Sequence, residues 1–203
     1  MRRFCPSLLV AWVFVVLATG CSTPADPHAI ADPVDQEVIR WEEFDSERLA
    51  HAIFHESNRV RRSFELRPFR VLPRLEQAAD LQAGTMAMLG QLSHDNPFRG
   101  RANVYERIRA TGIEPQQAGE NVALTPVRVA PPGYSGSGEW PWPTYAELAT
   151  RIVEQWLNSP PHRLALLNRD FTHLACATWP ARGAMGGELV YSVQVFVVPR
   201  RNR

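Results

Sequence analysis

Apolar residues recur at helical spacing in several separate stretches of the chain. Ser46 stands where an N-cap belongs, and Leu49 to Phe64 follows with apolar positions every three or four residues. Pro68 and Pro73 break that pattern. Leu75 to Leu92 carries a second helical pattern, with Leu75, Ala78, Ala79, Gln82, Met86 and Leu89 on or near one stripe. Ser93 to Gly100 reads as a loop, and Tyr105 to Ala110 as a short helix stopped by Gly112. Thr144, with Glu147 three places on, has the signature of a capping box and predicts a helix to about Leu157. Ser159-Pro160-Pro161 ends that helix, and His162 opens a short helical segment to Leu167.

Strand patterns are fewer. Val122 to Leu124 predicts a short strand. Phe171 to Trp179 and Leu189 to Val198 predict two longer ones, joined by the glycine-rich turn Arg182 to Gly187. The last strand alternates Val193, Val195 and Val197 against Gln194, Phe196 and Val198. Arg128 to Pro143 is rich in Pro, Gly and Ser, holds Trp140 and Trp142, and reads as a long irregular insertion. Helices that precede and flank a small antiparallel sheet predict an α+β domain with the sheet in the middle layer.

The N-terminus follows a different rule. Met1-Arg2-Arg3 is a positive start, Leu8 to Leu17 is an unbroken apolar run, and Ala18-Thr19-Gly20-Cys21 follows. That is a secretory signal, too short for a comfortable membrane span. The small residues before Cys21 resemble a bacterial lipobox. Residues 1–20 are therefore read as a lipoprotein-type signal peptide, with a lipid on Cys21 anchoring the chain to the membrane; plain secretion is the alternative. Ser22 in place of an aspartate favours the outer membrane in a Gram-negative cell. Residues 21–40, polar and proline-bearing, read as a tether, and residues 41–200 as the domain.

With 203 residues, 45% of them hydrophobic, the chain is long enough for one domain with a sizeable core. A formal net charge of +1 gives no reason to expect nucleic acid as a partner. Cys5 leaves with the leader and Cys21 takes the lipid, so Cys176 is alone in the domain and no intrachain disulfide is available. In the apolar run Leu174-Ala175-Cys176-Ala177-Thr178 it reads as a small buried hydrophobe and not as a nucleophile.

The histidines hold the remaining chemistry. His51 and His55 are one helical turn apart, and His55-Glu56 is like the start of a zinc-protease helix. That motif needs a histidine at position 59, where Arg59 stands, so the pair is not read as such a site. His28 lies in the tether and His173 in a strand. His94, in Ser-His-Asp-Asn, and His162, in Ser-Pro-Pro-His-Arg, each sit at a break between elements, where sites are commonly built. With Glu120, in Ala-Gly-Glu-Asn-Val, they make a two-imidazole, one-carboxylate set of the kind that binds zinc. Glu120 entering a strand has another reading, an ion pair with Arg107 or Arg163 that ties helix to sheet.

Several of these pieces occur together in a known order. Asn58 and Arg62, Leu75 and Ala79, Ser93-His94, Gly119-Glu120-Asn121-Val122, Trp156 followed by Ser159-Pro160-Pro161-His162-Arg163, and Tyr191 with Gln194-Val195-Phe196 resemble the CAP superfamily of cysteine-rich secretory, antigen-five and pathogenesis-related proteins, in its compact bacterial form. The resemblance runs from about Ala50 to Pro199. It implies a three-layer α-β-α sandwich with a small, mainly antiparallel sheet, and a cleft lined by His94, Glu120 and His162. A second glutamate found in several eukaryotic members, three residues after the tryptophan, is Ser159 here. The resemblance implies an exported, envelope-anchored or secreted domain whose cleft binds a metal ion such as Zn2+ or another divalent cation, or a small-molecule, lipid or protein ligand. A zinc-dependent, peptidase-like hydrolase using the same cleft is the alternative, with Asp95 as the nearest carboxylate base.

Overall fold

The computed structural model describes residues 33–130, 133, 135, 139–184 and 186–200. The expected leader, Cys21 and the tether up to residue 32 lie outside the described residues, as does part of the 128–143 insertion.

Helix α1 spans Ser46–Ser63. Its cap is Asp45, not the expected Ser46: the Asp45 carboxylate accepts the Arg48 N–H at 2.9 Å. A carboxylate there satisfies an orphan donor and also complements the positive end of the helix. Helix α2, Leu75–Leu89, ends where Gly90 turns left-handed with φ 66°, so Leu92 lies beyond it. The stripe from Leu75 to Met86 is buried, while Leu89 is exposed. Helix α3, Val104–Ala110, is capped by Asn103. Helix α4, Tyr145–Leu157, has the capping box with both of its bonds formed between Thr144 and Glu147. Pro160 and Pro161 do more than end α4. They begin α5, Pro160–Leu166, at positions where a missing N–H costs nothing.

Three antiparallel strands form the sheet: β1 (Pro115–Pro126), β2 (His173–Arg182) and β3 (Glu188–Pro199), in the order β1-β3-β2. The expected Val122–Leu124 strand is the middle of a much longer one. Gln116, Gln117, Glu120 and Asn121 hide its length in the sequence, because an edge strand tolerates polar residues that a central one does not. Side chains from the helices engage its backbone. Ala118 N–H donates to the Tyr105 hydroxyl at 3.2 Å, and Trp156 Nε1 donates to the Val122 carbonyl at 3.1 Å.

Helices α1, α4 and α5 lie on one face of the sheet, and α2 and α3 on the other, which makes the three-layer α-β-α sandwich. The alternation in β3 therefore separates two cores, not core from solvent. Val193, Val195 and Val197 pack with Leu75, Ala79 and Ile108, while Phe196 packs with the α1 and α4 residues.

Gly119 carries a constraint of this packing. It sits in regular strand, so its value is space and not a turn. A Cβ built there would lie 2.8 Å from Phe171 Cζ, and that ring is stacked on Phe196 at 5.4 Å between centroids. Replacing Gly119 by Ala is expected to destabilise the domain by about 1–3 kcal/mol through overpacking, read from chemical denaturation. Unchanged stability would mean that Phe171 is free to move.

Candidate functional site

Glu120 and Asn121 are neighbours on the edge strand, so their side chains leave opposite faces of the sheet. Glu120 points toward α3 and the loop after α2. Asn121 points toward α1 and α5. Each holds one of the two histidines singled out by the sequence, by different means.

On the first face, α3 presents Arg107, whose side chain is fully buried. Its Nη2 donates to Glu120 Oε2 at 2.5 Å, and its Nη1 to the Arg101 carbonyl at 3.0 Å. The Glu120 side chain is 3% exposed, so both charges of this pair are out of water. Glu120 Oε1 contacts His94 Nδ1 at 3.0 Å. A carboxylate paired with a guanidinium can only accept, so His94 Nδ1 donates. In the neutral ring the lone pair is then on Nε2, at the far side of an imidazole that is 55% exposed. The bond to Glu120 raises the His94 pKa above the usual histidine value, against the opposing effect of burial.

On the second face, Asn121 Nδ2 donates to the His162 carbonyl at 3.1 Å and to Gln194 Oε1 at 3.0 Å. Gln194 Nε2 donates to Ser57 Oγ at 2.7 Å, and the Ser57 hydroxyl to the Ile53 carbonyl at 2.6 Å. This buried chain crosses from β1 through β3 to α1 and fixes the start of α5. His162 is thereby brought to the strand edge, with its ring centroid 6.3 Å from that of His94. Burial lowers its pKa, and His94 lowers it further.

Glu120 therefore has two partners. It faces His94, and it pairs with Arg107. Arg163 instead lies over the Phe64 ring. Glu120 bonds His94 but not His162, and both of its oxygens are engaged. Among the described residues, no set of three or more His, Cys, Asp or Glu side chains converges as a metal-holding group.

The other candidates are elsewhere. Cys176 is buried in β2, and burial pushes its thiol pKa up, away from reactivity. His173 sits beside the Thr172 hydroxyl at 2.9 Å. The two tryptophans of the insertion part ways. Trp142 packs onto the core under the Arg128 guanidinium, 4.4 Å from the ring centroid, and lines a groove of about 290 Å3 with Trp41 and Ile39. Trp140 is exposed. Sequence reasoning missed Gln194 and Ser57. The one available signal was a glutamine inside an otherwise apolar strand, which demands a buried partner.

Removing Arg107 leaves a desolvated carboxylate without its guanidinium. Arg107→Met is expected to cost about 3–5 kcal/mol in denaturant unfolding, and Arg107→Met/Glu120→Leu to recover most of it. A single variant as stable as the wild type would show that the pair is not the anchor of this face. The two histidines give opposite pH dependences. The raised pKa of His94 means that its stabilising contribution is present below the ordinary histidine range and is lost as pH rises through the folded value. The lowered pKa of His162 makes its contribution present above that range and lost as pH falls through the folded value. An NMR titration is expected to find His94 deprotonating at higher pH than His162; the reverse order would contradict the hydrogen bond to Glu120.

Comparison with known proteins agrees with this layout. No curated protein matches the chain. Among solved structures, an extracellular protein containing an SCP domain from Bacillus anthracis is 22% identical with a TM-score of 0.54, over 75% of this chain and 41% of that one. An outer surface protein from Borrelia burgdorferi is 18% identical with the same TM-score of 0.54, over 77% of this chain and 97% of that one. These likenesses support the fold. This chain thus spans less than half of the Bacillus protein and nearly all of the Borrelia one. The model of the cysteine-rich secretory protein family, CAP, matches residues 54–196, from the middle of α1 to Phe196, short of the end of β3, and across His94, His162 and the Gly-Glu-Asn edge strand: the chain belongs to that family.

Proposed function

We propose that the chain is an exported binding domain whose cleft at His94, Glu120 and His162 takes a divalent cation, or a small or lipid-like ligand held with it. The observation that carries this reading is the 3.0 Å bond from His94 Nδ1 to Glu120 Oε1. It fixes the ring and leaves Nε2 as an outward-facing donor beside a second imidazole. Metal–nitrogen bonds of about 2.1 Å place the centroids of two imidazoles on one ion roughly 5–6 Å apart. The 6.3 Å separation of His94 and His162 is close to that range. The donors therefore fit an ion such as Zn2+ held by His94 and His162, with Glu120 orienting His94 and not ligating. Such an ion would supply a Lewis-acid centre with open positions for a ligand.

Binding is favoured over hydrolysis because both Glu120 oxygens are engaged and Arg107 offsets its charge, which leaves Asp95, next to His94 in the chain and acting on it electrostatically, as the carboxylate for a base. Export is supported by the leader-like residues 1–20 and by the likeness to the Bacillus and Borrelia proteins, which are extracellular and outer-surface proteins. Anchoring through a lipid on Cys21 belongs to the same reading.

Zn2+ added to the full chain is expected to shift the imidazole resonances of His94 and His162 together. Glu120→Gln is expected to weaken this binding 10–100-fold, the usual effect of losing the carboxylate behind a ligand. If neither resonance moves in a folded protein, the cleft is not a cation site.

A further inference from the structure

The histidine pair on α1 has a geometry that its sequence spacing does not reveal. His51 and His55 stand one turn apart, and their Nε2 atoms are 3.0 Å from each other. The ring centroids are 4.2 Å apart. Helical spacing alone leaves Cβ atoms about 5–6 Å apart and lets rings point anywhere. Here the two donor atoms converge. The Phe54 ring meets His55 edge-on at 5.8 Å between centroids, which braces that imidazole. The neighbouring acid does not compete for the rings: both Glu56 oxygens accept from Arg59 at 2.6 Å. Glu47 lies one turn ahead of His51 on the same exposed stripe and adds negative charge near the pair.

From this convergence we infer a second, bidentate metal site, His51 Nε2 and His55 Nε2, for an ion of tetragonal preference, Cu2+ above all. Two metal–nitrogen bonds of about 2.0–2.1 Å place their nitrogens about 2.9 Å apart at a right angle and about 3.4 Å apart at the tetrahedral angle. The observed 3.0 Å is nearer the first. Square-planar coordination by nitrogen is the preference of Cu2+ and Ni2+, and Cu2+ also heads the affinity order of first-row ions. His51 is exposed and His55 half-buried, so water can reach the ion beside the two imidazoles.

The proton balance is simple. Without metal, one ring donates Nε2–H to the lone pair of the other. When the ion binds, that proton moves to Nδ1 of the same ring by exchange with water, and both Nε2 lone pairs go to the metal. Two neutral imidazoles bind the ion with no net release of protons. Protonation of either ring removes a ligand.

The site lies on the layer of α1 and uses no residue of the cleft, so the two are separable. The experiment is Cu2+ titration of the untagged full chain, followed by electron paramagnetic resonance, beside His51→Gln/His55→Gln and His94→Gln/His162→Gln. The expected result is a wild-type spectrum with coupling to two imidazole nitrogens. That signal should persist in the cleft variant and disappear from it, with at least a tenfold loss of affinity, when the two α1 substitutions are added. Equal affinity of the cleft variant with and without the α1 substitutions, or a two-nitrogen signal lost in the cleft variant alone, would overturn the proposal. Both α1 substitutions are on the outer side of the helix, and circular dichroism checks that the fold is retained.

Discussion

A carboxylate carried into a sheet with its water removed needs a partner that follows it, and Arg107 is that partner. The Glu120–Arg107 pair is what holds His94 in place. The guanidinium comes from a short helix of seven residues, α3, which Ile108 and Tyr105 also tie to the sheet. Its Nη groups reach the carbonyls of Arg101 and, at 3.4 Å, His94, while Nε is buried with no hydrogen-bond partner, so the side chain pins the loop that carries His94 as well as the carboxylate that orients it. Such a pair contributes little net stability compared with an apolar packing of the same shape. What it provides is position: a charged group that is worth several kilocalories only in one arrangement selects that arrangement.

The same logic runs through the opposite face with neutral groups. Asn121, Gln194 and Ser57 form a chain of side-chain hydrogen bonds inside an apolar core. Each amide would cost a few kilocalories if left unpaired, so the three elements it joins are held in one register. Arg61 does the same for the end of α5. It is buried without a carboxylate, donates to the carbonyls of Arg67, Leu166 and Asn168, and lies 3.8 Å from the Phe69 ring centroid. Burial lowers its pKa to about 10, which leaves it charged at neutral pH against helix-end carbonyls that carry partial negative charge. His94 and His162 are thus presented by two separately anchored segments, one by charge and one by amides.

This division separates charge from exposure. The groups with the strongest electrostatics, Glu120 and Arg107, are turned inward and neutralise each other. The groups facing solvent are two imidazoles of unlike proton affinity, one supported by a carboxylate and one partly desolvated.

The sequence by itself determined the helices, the capping box of α4 and the family, while it placed the α1 cap one residue late and ran α2 on to Leu92. The capping box and the stripes are local: Thr144 and Glu147, and the Leu75–Met86 face, are set by residues three or four apart. It also marked His94, Glu120 and His162 as candidates, because each stands where an element begins or ends. Only the tertiary structure decided the rest. The length of β1 was hidden because its polar residues find partners in other elements, Glu120 in Arg107 and His94, and Asn121 in Gln194 and the His162 carbonyl. Gly119 gave no local sign that it makes room for Phe171, far along the chain. The role of Glu120 stayed open between Arg107, Arg163 and the histidines because these contacts are non-local, and distance in space is not written in spacing along the chain. The convergence of His51 and His55 is likewise a matter of side-chain rotation, which a four-residue interval permits but does not choose.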